Sequence, residues 1–136
     1  MSIDEQEAIK KKHYSEAIRY MENAKETLQK AGKEDKYYLD RKYVRTACGT
    51  AYNGVLIALD TYLLLKGIKK TKGRKSIEYY QEQFGKIDKK IIKHINCAYE
   101  ILHLFGYYDG TLSATVVKEG FDEAYELINQ IKPDSN

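Results

Sequence analysis

Apolar residues recur every three or four positions along most of the chain, which is the spacing of one face of an α-helix. This spacing predicts five helices: Ser2 to Gly32, Tyr38 to Lys66, Ser76 to Phe84, a fourth that opens at Asp88, and a fifth that Ser113 caps. Short polar or glycine-containing stretches separate them. The pattern therefore predicts an all-α fold, an antiparallel helical bundle of four main helices plus one short helix, in a single domain over residues 1–136.

Local residues predict where these helices begin and end. Ser2 with Glu5 three residues later is a capping-box pattern, and the stretch from Lys33 to Lys36 is predicted to be a polar connector. Gly85 is predicted to end the short third helix. The fourth helix is expected to bury one apolar side, which runs from Ile91 to Phe105.

The composition favours a cytoplasmic protein. No apolar run approaches the ~18 residues that a membrane span needs, and Asp60 interrupts the longest run. The acidic start does not resemble a secretion signal, so neither export nor a membrane partner is predicted. Thirteen tyrosines stand against three phenylalanines, and the one proline, Pro133, follows the last helix. Tyrosine pairs suit a protein interface, so a homodimer is predicted.

Cysteine and histidine positions argue against the common catalytic and metal sites. Cys48 and Cys97 have no metal-ligand spacing, and each is expected to be a buried free thiol. His94 and His103 differ by nine residues, which places them on opposite faces of one helix. No P-loop, dinucleotide, zinc-protease or serine-hydrolase motif occurs. We therefore predict no catalytic residue, no metal and no cofactor.

Charge is divided unevenly along the chain. Residues 36–75 hold ten basic and two acidic side chains, a local charge of +8, whereas residues 107–136 hold two basic and six acidic, or −4. Six cations fall within residues 66–75, which we call the basic segment. It is expected to be a solvated connector, to pair with the acidic last helix of a second subunit, or to contact the phosphates of a nucleotide or RNA.

The second helix and the turn after the fourth carry the other candidate residues. Arg41, Arg45 and Tyr52 share one helix face, where an arginine could hold a carboxylate, a tyrosine or a phosphate. A stripe of small residues on the same helix predicts close packing beneath tyrosine rings, or a groove that a ligand enters. Asn53 is expected to form a buried hydrogen bond, and Asp60 to pair with an arginine or face solvent. The candidate binding residues are Arg41, Arg45, Tyr52, Tyr107, Tyr108, Asp109, Lys69, Lys70, Lys72, Arg74 and Lys75.

Two stretches, Tyr43–Asp60 and Ile101–Asp109, resemble the HEPN family of small bacterial helical bundles. The first is similar to that family's small-residue core helix. The second, with its Gly-Tyr before the last helix, is similar to its nuclease segment. The resemblance implies a helical bundle from a toxin–antitoxin or nucleotidyltransferase-linked system, with an arginine and a histidine that cleave RNA.

The chain departs from that pattern at the catalytic positions. When Gly106-Tyr107 is aligned, Phe105 stands at the histidine position and Glu100 at the arginine position. RNA cleavage needs an acid or base and a cation, and phenylalanine supplies neither. The leading hypothesis is therefore a non-catalytic HEPN-like dimer that binds a partner protein, a nucleotide or RNA. The alternatives are a divergent ribonuclease toxin that uses His94 or His103 with nearby lysines, and a pure assembly or scaffold module.

Overall fold

The computed structural model describes residues 1–69, 73 and 75–134 and is an all-α bundle, as predicted. Its α-helices in these residues are α1 (Ile3–Gln29), α2 (Arg41–Leu65), α3 (Ile77–Ile87), α4 (Ile92–Ala98) and α5 (Ala114–Ile128). A π-helix (Tyr99–Tyr108) continues α4, and 3₁₀ turns (Lys89–Ile91 and Asn129–Ile131) precede α4 and follow α5. Two short strands, β1 (Lys33–Glu34) and β2 (Tyr37–Tyr38), lie between α1 and α2.

The predicted N-terminal caps are confirmed. The hydroxyls of Ser2, Ser76 and Ser113 each accept a hydrogen bond from the backbone N–H three residues later. The predicted end of the third helix is wrong, because Gly85 lies inside α3, which continues to Ile87. Gly32 has a positive φ of 67° and does end its helical turn, whereas the backbone at Gly85 stays helical.

The polar connector after α1 is a β-hairpin, which the sequence did not predict. β1 and β2 pair antiparallel around Asp35, whose φ is 56°. The backbone N–H of Tyr38 also donates to the carbonyl of Leu112 at 2.8 Å. The predicted start of the second helix at Tyr38 is therefore wrong, since α2 begins only after Asp40 caps it. The hairpin ties the start of α2 to the loop before α5.

The π-helix changes which residues face the core. An uninterrupted α-helix would continue the buried series Ile95, Ala98, Leu102 to Phe105, as the sequence predicted. The wider π turns shift the series by one residue, so that Gly106 is buried and Phe105 is 46% exposed. The prediction of a buried Phe105 is therefore wrong. Gly106 lies so close to α2 that an added Cβ would stand 2.5 Å from Cys48 Cβ.

α2 is the central helix of the bundle and packs against α1, the π-helix and α5. Its small residues Ala47, Ala51, Gly54 and Ala58 are all buried, which confirms the prediction of close packing along this stripe. By length and mean hydropathy α2 is also apolar enough to cross a membrane. Its buried side chains pack against the other helices, which accounts for an apolar helix at the centre of a bundle.

Candidate functional site

An open groove of about 950 Å³ runs along one face of α2, between the π-helix and the start of α3. On α2 its lining residues follow the helical spacing of three and four. They are Thr46, Gly49, Thr50, Tyr52, Asn53, Leu56 and Asp60. From Thr46 to Asp60 the helix rises ~21 Å, so the groove is long and narrow. We call it the tyrosine groove, because five tyrosines line it.

The wall on the π-helix side is a cluster of aromatic rings around His103. The ring centroid of His103 lies 5.0 Å from that of Tyr52 and 5.2 Å from that of Tyr99. Tyr107 stacks on it nearly in parallel at 6.0 Å, and Tyr108 meets it edge-on at 4.9 Å. Pairs at these distances are attractive and favour this arrangement of the rings along the groove.

Tyr107 rests directly on the backbone of α2. A Cβ added to Gly49 would stand 2.8 Å from the Cδ1 of the Tyr107 ring, so only glycine leaves room for the ring in this position. This contact accounts for a glycine inside a helix, where it costs about 1 kcal/mol relative to alanine. The rings of Tyr107 and Tyr108 are 47% and 56% exposed, and their outer faces remain accessible to a ligand.

An ion pair closes the far end of the groove. Asp60 accepts a hydrogen bond from the Tyr80 hydroxyl at 2.8 Å and pairs with Lys75 Nζ at 3.4 Å. Asp60 thus pairs with a lysine, whereas the sequence suggested either an arginine partner or a solvent-facing carboxylate. Burial raises the pKa of the Tyr80 hydroxyl, and the negative charge of Asp60 raises it further. This end of the groove therefore holds protonated Tyr80 and a lysine whose charge Asp60 balances.

Four of the predicted binding residues line the groove, namely Tyr52, Tyr107, Tyr108 and Lys75. Three others lie beside it, at the end of the π-helix. Arg41 donates hydrogen bonds to the carbonyls of Asp109 and Gly110, at 3.2 and 2.7 Å, so its guanidinium anchors this turn. Arg45 approaches Gly110, and both Arg45 and Asp109 are exposed without lining the groove.

The basic segment is described only in part. Lys69 is exposed and lines a smaller cavity of about 290 Å³, which shares Asp60 and Lys75 with the groove. The predicted residues Lys70, Lys72 and Arg74 lie outside the described residues.

His94 and Cys97, which do not line the groove, lie on the face that α4 shares with α5. His94 Nδ1 is 2.6 Å from a carboxylate oxygen of Glu123, and the Cys97 thiol donates to Glu119 at 3.8 Å. Cys97 is partly exposed, so the prediction of a buried thiol is wrong there and holds only for Cys48. Burial and the nearby carboxylates raise the pKa of Cys97 to about 11. In the described part of the chain, no group of His, Cys, Asp or Glu side chains is arranged to hold a metal ion.

Several groove residues were not predicted as binding residues from the sequence. Asn53 was expected to be buried and hydrogen-bonded, but it is exposed on the groove floor, so that prediction is wrong. Thr46 and Thr50 lie on the same face of α2 as Asn53. Their spacing of four and three residues is the sequence signal that could have identified them as groove residues. Tyr99 was expected on the apolar side of the fourth helix, but it is only partly buried and lines the groove.

One protein-family model matches a stretch of the chain that includes every residue lining the groove. The family model described as a domain of unknown function (DUF5618) matches residues 12–133. The chain belongs to the DUF5618 family. A protein of unknown function from Dyadobacter fermentans has a solved structure that is 47% identical to this DUF5618 chain, with a TM-score of 0.80. The match covers 89% of this chain and 94% of that one. No curated protein matches the chain.

The buried hydroxyls and thiol of this DUF5618 chain predict a loss of stability at alkaline pH. Burial raises the pKa of Cys48 from 9.0 to about 12 and also raises the pKa values of Tyr52 and Tyr80. Partial burial, together with the hydrogen bond to Asp88 and its charge, raises the pKa of Tyr62 from 10.0 to about 12. Between the unfolded and folded values only the unfolded chain has lost the proton. Stability is therefore fully present below pH 9 and is lost as the pH rises towards 12.

Urea unfolding followed by circular dichroism between pH 8 and pH 12 checks this prediction. Tyr80→Phe is expected to lower stability at neutral pH, because the hydrogen bond to Asp60 is lost. Above pH 10 the stability of the variant should fall less steeply with pH than that of the parent. The difference between the two slopes should be about 1.4 kcal/mol per pH unit, because one ionising group is gone. Equal slopes for the variant and the parent would contradict the prediction.

Proposed function

We propose that this chain is a non-catalytic, HEPN-like binding module whose tyrosine groove takes the bases of single-stranded RNA. The observation that carries the proposal is the cluster of Tyr52, Tyr99, Tyr107 and Tyr108 around His103, at the wall of one open groove. Every base has a flat face that stacks on tyrosine, and such stacking is worth about 1–3 kcal/mol per base. A wall of several rings therefore suits a run of bases.

The distribution of charge around the groove favours a strand whose bases lie inside the groove and whose phosphates lie outside it. The described lining carries one ion pair, between Asp60 and Lys75, and one further carboxylate, Glu78. A phosphate backbone gains little from such a lining. Cations lie instead at both ends of α2, with exposed Lys42 and Arg45 at its start and exposed Lys66 and Lys69 after its end. A strand laid along the groove would bring its phosphates near both groups.

The positions of the two histidines support a role without catalysis. His94 pairs with Glu123 of α5, whereas His103 is packed among tyrosines on the other side of the helix. Acid–base cleavage of RNA needs two such groups beside one phosphate. Phe105, which stands at the histidine position of the HEPN pattern, is exposed and does not line the groove. The homodimer and the cytoplasmic location remain predictions.

Fluorescence anisotropy with labelled RNA hexamers tests the proposal. A groove of ~21 Å holds about six stacked bases at 3.4 Å each, so affinity is expected to rise with length up to about six nucleotides. The hexamer should bind more tightly than adenosine monophosphate or a duplex of the same length. Affinity should fall as salt rises, because counterions are released from the phosphates.

Two tyrosine variants localise the binding. Tyr108→Ala is expected to weaken hexamer binding about fivefold, which corresponds to about 1 kcal/mol. Tyr37→Ala is the matched control, since Tyr37 is 60% exposed but lies on the hairpin, outside the groove. Absence of hexamer binding at low salt would contradict the proposal. Cleavage of the bound RNA that His103→Ala abolishes would overturn its non-catalytic part and support the ribonuclease alternative.

A further inference from the structure

Asn53 is a polar residue that the fold does not use. It lies at the midpoint of α2, is exposed, and stands on the groove floor between Thr50 and Leu56. Asparagine is a poor helix former, so this position costs stability relative to alanine. Its carboxamide makes no hydrogen bond with any residue that the structure describes. Nothing in the packing of the bundle accounts for a carboxamide at this point.

The neighbours of Asn53 place it beside the rings on which a base would stack. Tyr52 precedes it on α2, and the edge of the Tyr52 ring meets Tyr99 with centroids 6.1 Å apart. A base that stacks on this wall turns its edge, not its face, towards the groove floor. The floor there offers hydroxyls from Thr46 and Thr50 and the carboxamide of Asn53. Of these groups, only the carboxamide presents a donor and an acceptor side by side in one plane.

We infer that Asn53 determines base preference in the tyrosine groove by pairing with the edge of an adenine. This inference rests on the proposed function, because it requires a base in the groove. A carboxamide accepts a hydrogen bond from adenine N6 while it donates one to N7. Adenine offers the same donor–acceptor pair through N6 and N1, so two of its edges fit.

Binding of the hexamers rA6, rU6 and rC6 to three proteins tests this inference. The parent is expected to prefer rA6 by about tenfold. Asn53→Ala should reduce that preference to less than twofold while affinity for rU6 stays within twofold of the parent. Asn23→Ala is the matched control, because Asn23 is an exposed asparagine inside α1 and away from the groove. The control should keep both the preference and the affinity.

The outcomes separate the inference from the function on which it rests. Equal binding of all hexamers by the parent, or a preference for adenine that survives Asn53→Ala, would overturn the inference and leave base binding in the groove intact. A preference for another base that Asn53→Ala removes would support Asn53 as the selecting residue and overturn only the assignment to adenine. Failure of the parent to bind any hexamer would overturn the proposed function itself.

Discussion

Replacing Gly106 with alanine is expected to lower the free energy of unfolding by about 3 kcal/mol, the upper part of the range for an overpacked core. The new Cβ would lie 2.5 Å from both Cβ and Sγ of Cys48 and 3.1 Å from the carbonyl oxygen of Ile101. Cys48 Cβ is fixed to the backbone of α2 and Ile101 O to the π-helix. The contact with Cys48 Cβ can therefore be relieved only if the two helices move apart.

Urea unfolding of a small set of glycine variants checks this prediction. Gly85→Ala is the matched control, because Gly85 lies inside α3, and an added Cβ would have no other described residue within 4 Å beyond its chain neighbours and the local helix backbone. It should gain up to about 1 kcal/mol from helix propensity. Cys48→Gly removes the two nearest of the three atoms that an alanine at 106 would meet, so in that background Gly106→Ala should cost clearly less. A Gly106→Ala variant as stable as Gly85→Ala would contradict the packing described for the π-helix.

The elements that local chemistry defines could be predicted from the sequence. A serine cap needs only its own hydroxyl and a backbone N–H three residues later, so Ser2, Ser76 and Ser113 were identified correctly. The hairpin could not be predicted, because its two-residue strands depend on Leu112, which is distant in sequence. The π-helix was missed for a related reason. The fit of Gly106 against α2, rather than any local preference, accounts for the shift.

The residues of the candidate site also divide into those that the sequence predicted and those whose role depends on tertiary packing. Tyrosine pairs were visible in the sequence, and Tyr107 and Tyr108 do line the groove. Arg41 looked equally suited to a ligand, but its guanidinium binds backbone carbonyls of the π-helix end. The burial of Asn53 was predicted wrongly because an apolar neighbourhood along the chain does not show which side of α2 stays open. The sequence pattern thus predicts the faces of a helix, whereas the neighbour on each face depends on tertiary packing.

Replacing Gly49 with alanine is expected to weaken RNA hexamer binding about tenfold while the free energy of unfolding stays the same or rises. The new Cβ would meet the Tyr107 ring at 2.8 Å, and that ring is the half-exposed end of a side chain. The ring can swing outward at little cost, and α2 gains up to about 1 kcal/mol of helix propensity. The stacking surface is then lost from the wall, which is worth about 1–3 kcal/mol per base.

The comparison of Gly49→Ala with Tyr107→Ala and the double variant separates this mechanism from a general loosening of α2. If Gly49 acts only by seating the Tyr107 ring, each single variant should lose about tenfold in affinity and the double variant no more than either. Gly85→Ala raises helix propensity elsewhere and should leave binding unchanged. Additive losses in the double variant, or a Gly49→Ala variant that binds normally, would show that the contact of the Tyr107 ring with Gly49 does not determine RNA binding in the groove. Loss of affinity with a gain in stability would instead identify Gly49 as a residue kept for binding at the expense of the fold.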